Sequence, residues 1–169
     1  MSARCVLSIG IATLVCVGLP RGGGAQAAGI AVGLRAPDAA VETLDGQATD
    51  LAHFVGTKPV LLEFWATWCP LCKQLEPTMH ALREKYSGRV TFVNVGITPN
   101  QTPEKQRKFA TDKEIVGEFV YDRSDKAVSA YHVPNPSFIV IIDRTGTIVY
   151  TGVGGTQPVD SALAKVAGE

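Results

Sequence analysis

Two cysteines three positions apart, Cys69 and Cys72, lie in the run Glu63-Phe64-Trp65-Ala66-Thr67-Trp68-Cys69-Pro70-Leu71-Cys72-Lys73, between an apolar stretch and the start of a helical pattern. The first N–H groups of a helix lack intrahelical partners and carry partial positive charge, so they stabilise a thiolate at Cys69 and make it nucleophilic. One helical turn brings the second sulfur within bonding reach, and Cys72 can then resolve a mixed disulfide formed on Cys69. The competing readings are a static disulfide and half of a zinc site. A disulfide closing so short a loop removes little entropy from the unfolded chain. A zinc site needs a second pair of ligands, yet no cysteine follows Cys72, and His80 and His132 are far apart in the chain. Reversible dithiol chemistry is the better reading.

The elements that must hold this pair can be read on either side of it. Val60 to Trp65 is a nearly continuous apolar run, suited to a central strand buried on both faces. Glu63 interrupts it. A carboxylate there costs several kcal/mol unless it is protonated, paired or hydrated, and desolvation raises its pKa toward working pH. Behind Cys72, apolar residues recur at Leu75, Met79, Leu82 and Tyr86, three or four apart, and Ser87-Gly88 ends the helix. Pro77 falls inside it and predicts a kink. A hairpin is expected over residues 33–56, a strand from Val90 to Val95, a polar loop from Thr98 to Thr102, and a helix opening at Pro103. A short strand from Glu118 to Tyr121 and a helix from Ser124 to Tyr131 follow. Phe138 to Ile142 is a strand, Asp143-Arg144-Thr145-Gly146 a tight turn into Thr147 to Thr151, and Val159 to Ala167 a final helix. The order strand, helix, strand, helix, strand, helix, hairpin, helix predicts an α/β fold with a mixed central sheet covered by helices on both faces.

The chain has 169 residues, enough for one domain with a sizeable core. Its 16 basic and 16 acidic residues balance, which gives no basis for nucleic-acid binding. Met1-Ser2-Ala3-Arg4, an apolar run from Cys5 to Leu19 and the small-residue site Ala25-Gln26-Ala27 have the layout of a secretory signal peptide. Residues 1–27 are therefore expected to be a leader cleaved after Ala27, and residues 28–169 the working domain. An uncleaved membrane anchor, or lipid attachment at Cys16, would export the domain equally. Removing the leader removes Cys5 and Cys16, so no third thiol remains to scramble the pair in an oxidising compartment.

The segment Phe64 to Cys72 closely resembles the active-site signature of the thioredoxin superfamily, and its Ala66-Thr67-Trp68-Cys69-Pro70 form is similar to the extracytoplasmic TlpA/ResA-like branch. The resemblance runs from about Val32 to about Gly155. It implies a thioredoxin-like fold with an N-terminal hairpin extension, marked by Ala36-Pro37-Asp38 and Leu44-Asp45-Gly46, and a strand–helix insertion between the two halves of the core. It also implies roles for single residues. Glu63 occupies the place of a buried acid that exchanges a proton with the resolving cysteine. Pro136, with Pro134 as rival and Asn135 beside it, stands for a cis-proline that sets the partner's backbone against the dithiol. Trp65 and Trp68 wall the site, while Pro70 and Leu71 tune its potential and meet the substrate. Two departures stand out. The position where related proteins often carry a glutamate is Leu75, with Glu76 one residue on, which suggests that the acid has moved to Glu63. The spacing from Pro136 to Asp143 is one residue longer than usual, which predicts a bulge or shifted register.

The function so implied is an exported protein disulfide reductase of the heme-maturation type, acting on protein thiols and disulfides. It would be recharged by a membrane-bound thiol donor, work as a monomer, and need no organic cofactor or metal. Two rivals remain. A peroxiredoxin-like thiol peroxidase is one, since the N-terminal region resembles that group too, although the run before Cys69 lacks its proline. A copper-handling domain using Cys69, Cys72 and His132 is the other.

Overall fold

In the computed structural model residues 29–168 are described, and the expected leader, with Cys5 and Cys16, lies outside them. In chain order the elements are β1 (Ala40–Thr43), β2 (Ala48–Asp50), a 3-10 turn (Leu51–Phe54), β3 (Val60–Trp65), α1 (Pro70–Lys85), β4 (Thr91–Ile97), α2 (Pro103–Asp112), β5 (Glu118–Asp122), α3 (Lys126–Ala130), β6 (Phe138–Ile142), β7 (Ile148–Val153) and α4 (Val159–Ala167). They form one mixed sheet of seven strands in the order β2-β1-β5-β4-β3-β6-β7. The parallel centre is β3, β4 and β5, and every other neighbouring pair is antiparallel.

Burial follows the sequence pattern. All residues of β3 and β6, the first an apolar run broken only by Glu63 and the second a continuous one, are buried, as strands covered on both faces must be. Leu61, Ile139 and Ile141 turn toward α1 and α4, where Leu75, Met79, Leu82, Tyr86, Val159 and Leu163 meet them. Leu62, Phe64, Val93, Val95, Val120 and Val140 pack on the opposite side with Leu51, Tyr131 and Ile148. Alternation along β3 places Glu63 on the same side as Leu61, toward α1, between Asn94 of β4 and Ile139 of β6 in the sheet register.

The N-terminal hairpin forms, with Gly46 at φ 81° closing its turn, but it does more than precede the core. Glu42 and Thr43 pair with Tyr121 and Val120, so β1 and β2 extend the sheet beyond β5. The helix expected from Ser124 to Tyr131 is shorter, because Asp125 adopts a left-handed backbone, φ 55°, at its start. The irregularity expected between Pro136 and Asp143 falls at Ile141/Ile142, where β6 and β7 shift register. Helix α1 runs through Pro77 as one 16-residue helix.

Candidate active site

Strand β3 delivers the chain to the carboxyl end of the sheet, and a turn at Ala66–Cys69 starts α1 there. Cys69 is the N-cap residue, with extended backbone, and Pro70 opens the helix where its missing N–H costs nothing. The two sulfurs are joined as the Cys69–Cys72 disulfide, with Cα atoms 5.3 Å apart. The Cys72 amide donates to Cys69 Sγ at 3.0 Å, so this cysteine takes the place that a serine or aspartate cap would. On reduction the same amide, with the helix N-terminus behind it, favours negative charge on Cys69.

Both cysteines are almost covered, at 2% and 5% exposed, whereas Trp68 and Leu71 beside them are about two-fifths exposed. The two tryptophans thus divide. Trp68 faces outward, its indole N–H donating to Pro99 O at 2.6 Å. Trp65 lies inside against Phe109 and Phe119, with no partner among the described residues for its own indole N–H. It lines a cavity of ≈ 10 Å³ together with Glu63, Cys72, Glu76 and Asn94, which is room for one water.

Glu63 is held by Arg83 of α1, whose guanidinium donates to Glu63 Oε2 at 3.3 Å, to Asn94 Oδ1 at 3.1 Å and to Glu76 Oε1 at 2.8 Å. Burial pushes the Glu63 carboxyl up to about 7; the Arg83 charge pulls it down, and the Glu76 charge pushes it up again. A carboxyl near 7 in contact with the space behind Cys72 can exchange a proton at neutral pH.

The turn before Cys69 is clamped from the β4–α2 loop. Gln101, itself buried, accepts from the Thr67 N–H at 2.7 Å and donates to Ile97 O at 2.9 Å and Trp65 O at 3.4 Å. Tyr121 Oη fixes this residue in turn by donating to Gln101 O at 2.9 Å.

The expected cis bond at Pro136 is corrected by the structure: no cis peptide occurs among the described residues, at Pro134 or Pro136. The chain enters β6 through Ser137 instead, which takes a left-handed backbone at φ 70°. That residue is pinned by its N–H to Phe64 O at 2.8 Å and by its hydroxyl to Gly154 O at 2.9 Å. Pro136 is half-buried beside it, and Asn135 is exposed. His132 is exposed, and among the described residues no three His, Cys, Asp or Glu side chains gather as a metal site.

Three neighbours of the site escape a reading of the sequence, Arg83, Asn94 and Gln101, while Glu76 enters that reading only as the residue after Leu75. Arg83 left a signal, since it lies four residues after Met79 on the inward stripe of α1, where a charge needs a buried partner. Gln101 left none in a loop that reads only as polar.

A thioredoxin-like sheet carrying a dithiol at the start of its first long helix, with a buried acid behind it, defines a protein disulfide oxidoreductase. The Redoxin family model matches residues 31–166, and the chain belongs to this family, as a TlpA/ResA-like member of the thioredoxin superfamily. It is 37% identical over 128 residues to the thioredoxin-like protein YneN of Bacillus subtilis, covering 75% of this chain and 74% of that protein. It is 32% identical over 142 residues to the thiol-disulfide oxidoreductase ResA of Geobacillus kaustophilus, covering 81% and 79%. A crystal structure of a putative thiol:disulfide interchange protein DsbE from Chlorobium tepidum superposes with a TM-score of 0.70 at 26% identity, covering 82% of this chain and 99% of that one.

Proposed function

We propose that this oxidoreductase is exported through the leader of residues 1–27 and reduces disulfides of extracytoplasmic proteins, the disulfides of apocytochromes in cytochrome c maturation being the substrate class favoured. The observation that carries the reading is the pairing of two environments on one dithiol: a helix N-terminus at Cys69 and a buried acid, Glu63, behind Cys72. Cys69 as thiolate attacks the partner disulfide and one partner sulfur leaves. Cys72 then attacks Cys69 Sγ, its proton passing to Glu63, and the second partner sulfur leaves. The dithiol alone supplies the two electrons. The exposed Trp68 and Leu71, with Pro70 between them, form the surface a partner meets, and the Asn135-Pro136 segment aligns the partner's extended backbone. Trp65 supports the pair from inside. A monomer suffices for this chemistry, and a membrane-bound thiol donor recharges it, since an oxidising compartment offers no reducing pool.

A redox titration of residues 28–169, followed by tryptophan fluorescence, tests the direction of electron flow. A two-electron midpoint near the thioredoxin value of about −270 mV supports a reductase, whereas one near about −120 mV makes the protein an oxidant. In parallel, Cys72→Ser expressed with its leader should accumulate mixed disulfides with exported proteins. A variant that traps no protein would overturn the assignment of protein substrates.

A further inference from the structure

The proton taken up by Glu63 has no direct way out, because that side chain is 4% exposed. Glu76 is differently placed. Its carboxylate accepts from the same guanidinium, and it lines both the small cavity behind Cys72 and an open surface groove of ≈ 480 Å³ bordered by Lys73, Pro77, Phe109 and Lys113. At 25% side-chain exposure it is the wetter of the two acids on Arg83. The groups facing Glu63 are Arg83 and Glu76 from α1, Asn94 from β4 and the apolar Ile139 from β6, with Lys73 on the cavity wall.

We propose that Glu76 is the outlet of the proton path, receiving the proton from Glu63 and releasing it into the groove, with Arg83 as the positioning residue that holds both carboxylates. This rests on the reading of Glu63 as acceptor for Cys72. The charge count explains why one guanidinium serves two acids. With both ionised the cluster is −1, and the proton from Cys72 brings it to zero. Moving that proton from Glu63 to Glu76 keeps it at zero, so the transfer separates no charge in a low-dielectric site.

The step balances. The Cys72 S–H bond breaks as Sγ attacks Cys69 Sγ, and the Cys69–Cys72 bond forms. The bond from Cys69 to the partner sulfur breaks with its electron pair going to the partner. The proton passes to Glu63, then Glu76, then water, while the released partner thiolate is protonated from solvent. The dithiol is oxidised by two electrons and the partner disulfide is reduced by two.

The test uses the reduced protein and a symmetrical aromatic disulfide whose thiolate absorbs light, mixed rapidly. The first phase reports attack by Cys69, the second resolution by Cys72. Glu76→Gln, which keeps an oxygen for Arg83, should leave the first phase unchanged and slow the second by roughly a hundredfold, the low end of what a positioned proton acceptor contributes. Glu76→Ala should be slowed likewise and be restored in a concentration-dependent way by formate, a small acid able to enter the groove. A purely structural role would give no such rescue. If Glu63→Gln slows the second phase while both Glu76 variants match wild type, the outlet is refuted and the role of Glu63 stands. If Glu63→Gln also matches wild type, both fall. Slowing by Glu76→Ala that formate does not relieve, with Glu76→Gln normal, would also overturn the outlet.

Discussion

Glu63→Gln makes the energetics of the buried acid measurable without any redox assay. Burial raises the carboxyl from an ordinary 4.5 to about 7, with Arg83 only partly offsetting it. The folded state therefore binds this proton more tightly than the unfolded state does. Its stabilising contribution is complete below pH 4.5, declines as pH rises from 4.5 to about 7, and is gone above that. At 1.36 kcal/mol for each pH unit in that window, wild type should lose about 3 kcal/mol relative to the glutamine variant between pH 4 and pH 8. The substituted amide retains an oxygen for Arg83 and does not titrate, so other groups cancel in the comparison. The assay is urea unfolding of both oxidised proteins at half-unit pH steps. With a slope of about 2 kcal/mol/M, the gap between midpoints should move by about 1.5 M in favour of the variant as pH rises. Parallel profiles would refute the raised carboxyl. A gap moving the opposite way would show that Arg83 outweighs burial and keeps Glu63 ionised.

Two further outcomes test how the site is held. Gly96→Ala places a methyl group into the buried Gln106 amide, so it should cost about 1–3 kcal/mol and lower Tm by several degrees. The double variant with Gln106→Ala should recover part of the loss, and additive losses would sink the steric account. Gln101→Leu leaves the Thr67 N–H and the Ile97 carbonyl without their partner, so it should destabilise by about 1–3 kcal/mol and speed amide hydrogen exchange at Thr67. Unchanged exchange at Thr67 would mean that the turn before Cys69 is fixed by its own geometry.

What the sequence made legible was what lies close together along it. The apolar run of β3, the cysteines at the mouth of α1 and the one carboxylate in the strand are local features whose consequences follow from helix termini and desolvation. Glu63 stood out because a charge breaks an otherwise buried pattern. Its partner was legible in principle, since Arg83 breaks the inward stripe of α1 in the same way, but the meeting of two such exceptions is a tertiary event. The pairing of β1 with β5 and the reach of Gln101 across to Thr67 depend on strand order, which periodicity does not encode. The proline expectation failed differently. A turn into β6 can be made by a cis bond or by a left-handed residue, and the sequence Pro134-Asn135-Pro136-Ser137 admits both; the second occurs, at Ser137.

The proposed mechanism also separates the two currencies of the reaction. Electrons cross at the outer rim, where Cys69 caps the helix beside Trp68 and Leu71. In that mechanism protons are handled on the inner side, where Cys72, Glu63 and Glu76 line one cavity and Arg83 bonds both acids. Among the described residues only the dithiol itself is assigned to both. Substitutions at the rim should therefore alter which partners react and how fast the mixed disulfide forms. Those on the inner side should alter how the second step depends on pH. Burying the acid behind the resolving cysteine, rather than beside the attacking one, has a physical reason: an ionised carboxylate next to Cys69 would oppose the thiolate that the helix N-terminus stabilises. Behind Cys72 the same carboxylate is placed, in the proposed mechanism, to accept a proton at the moment that sulfur must become a nucleophile.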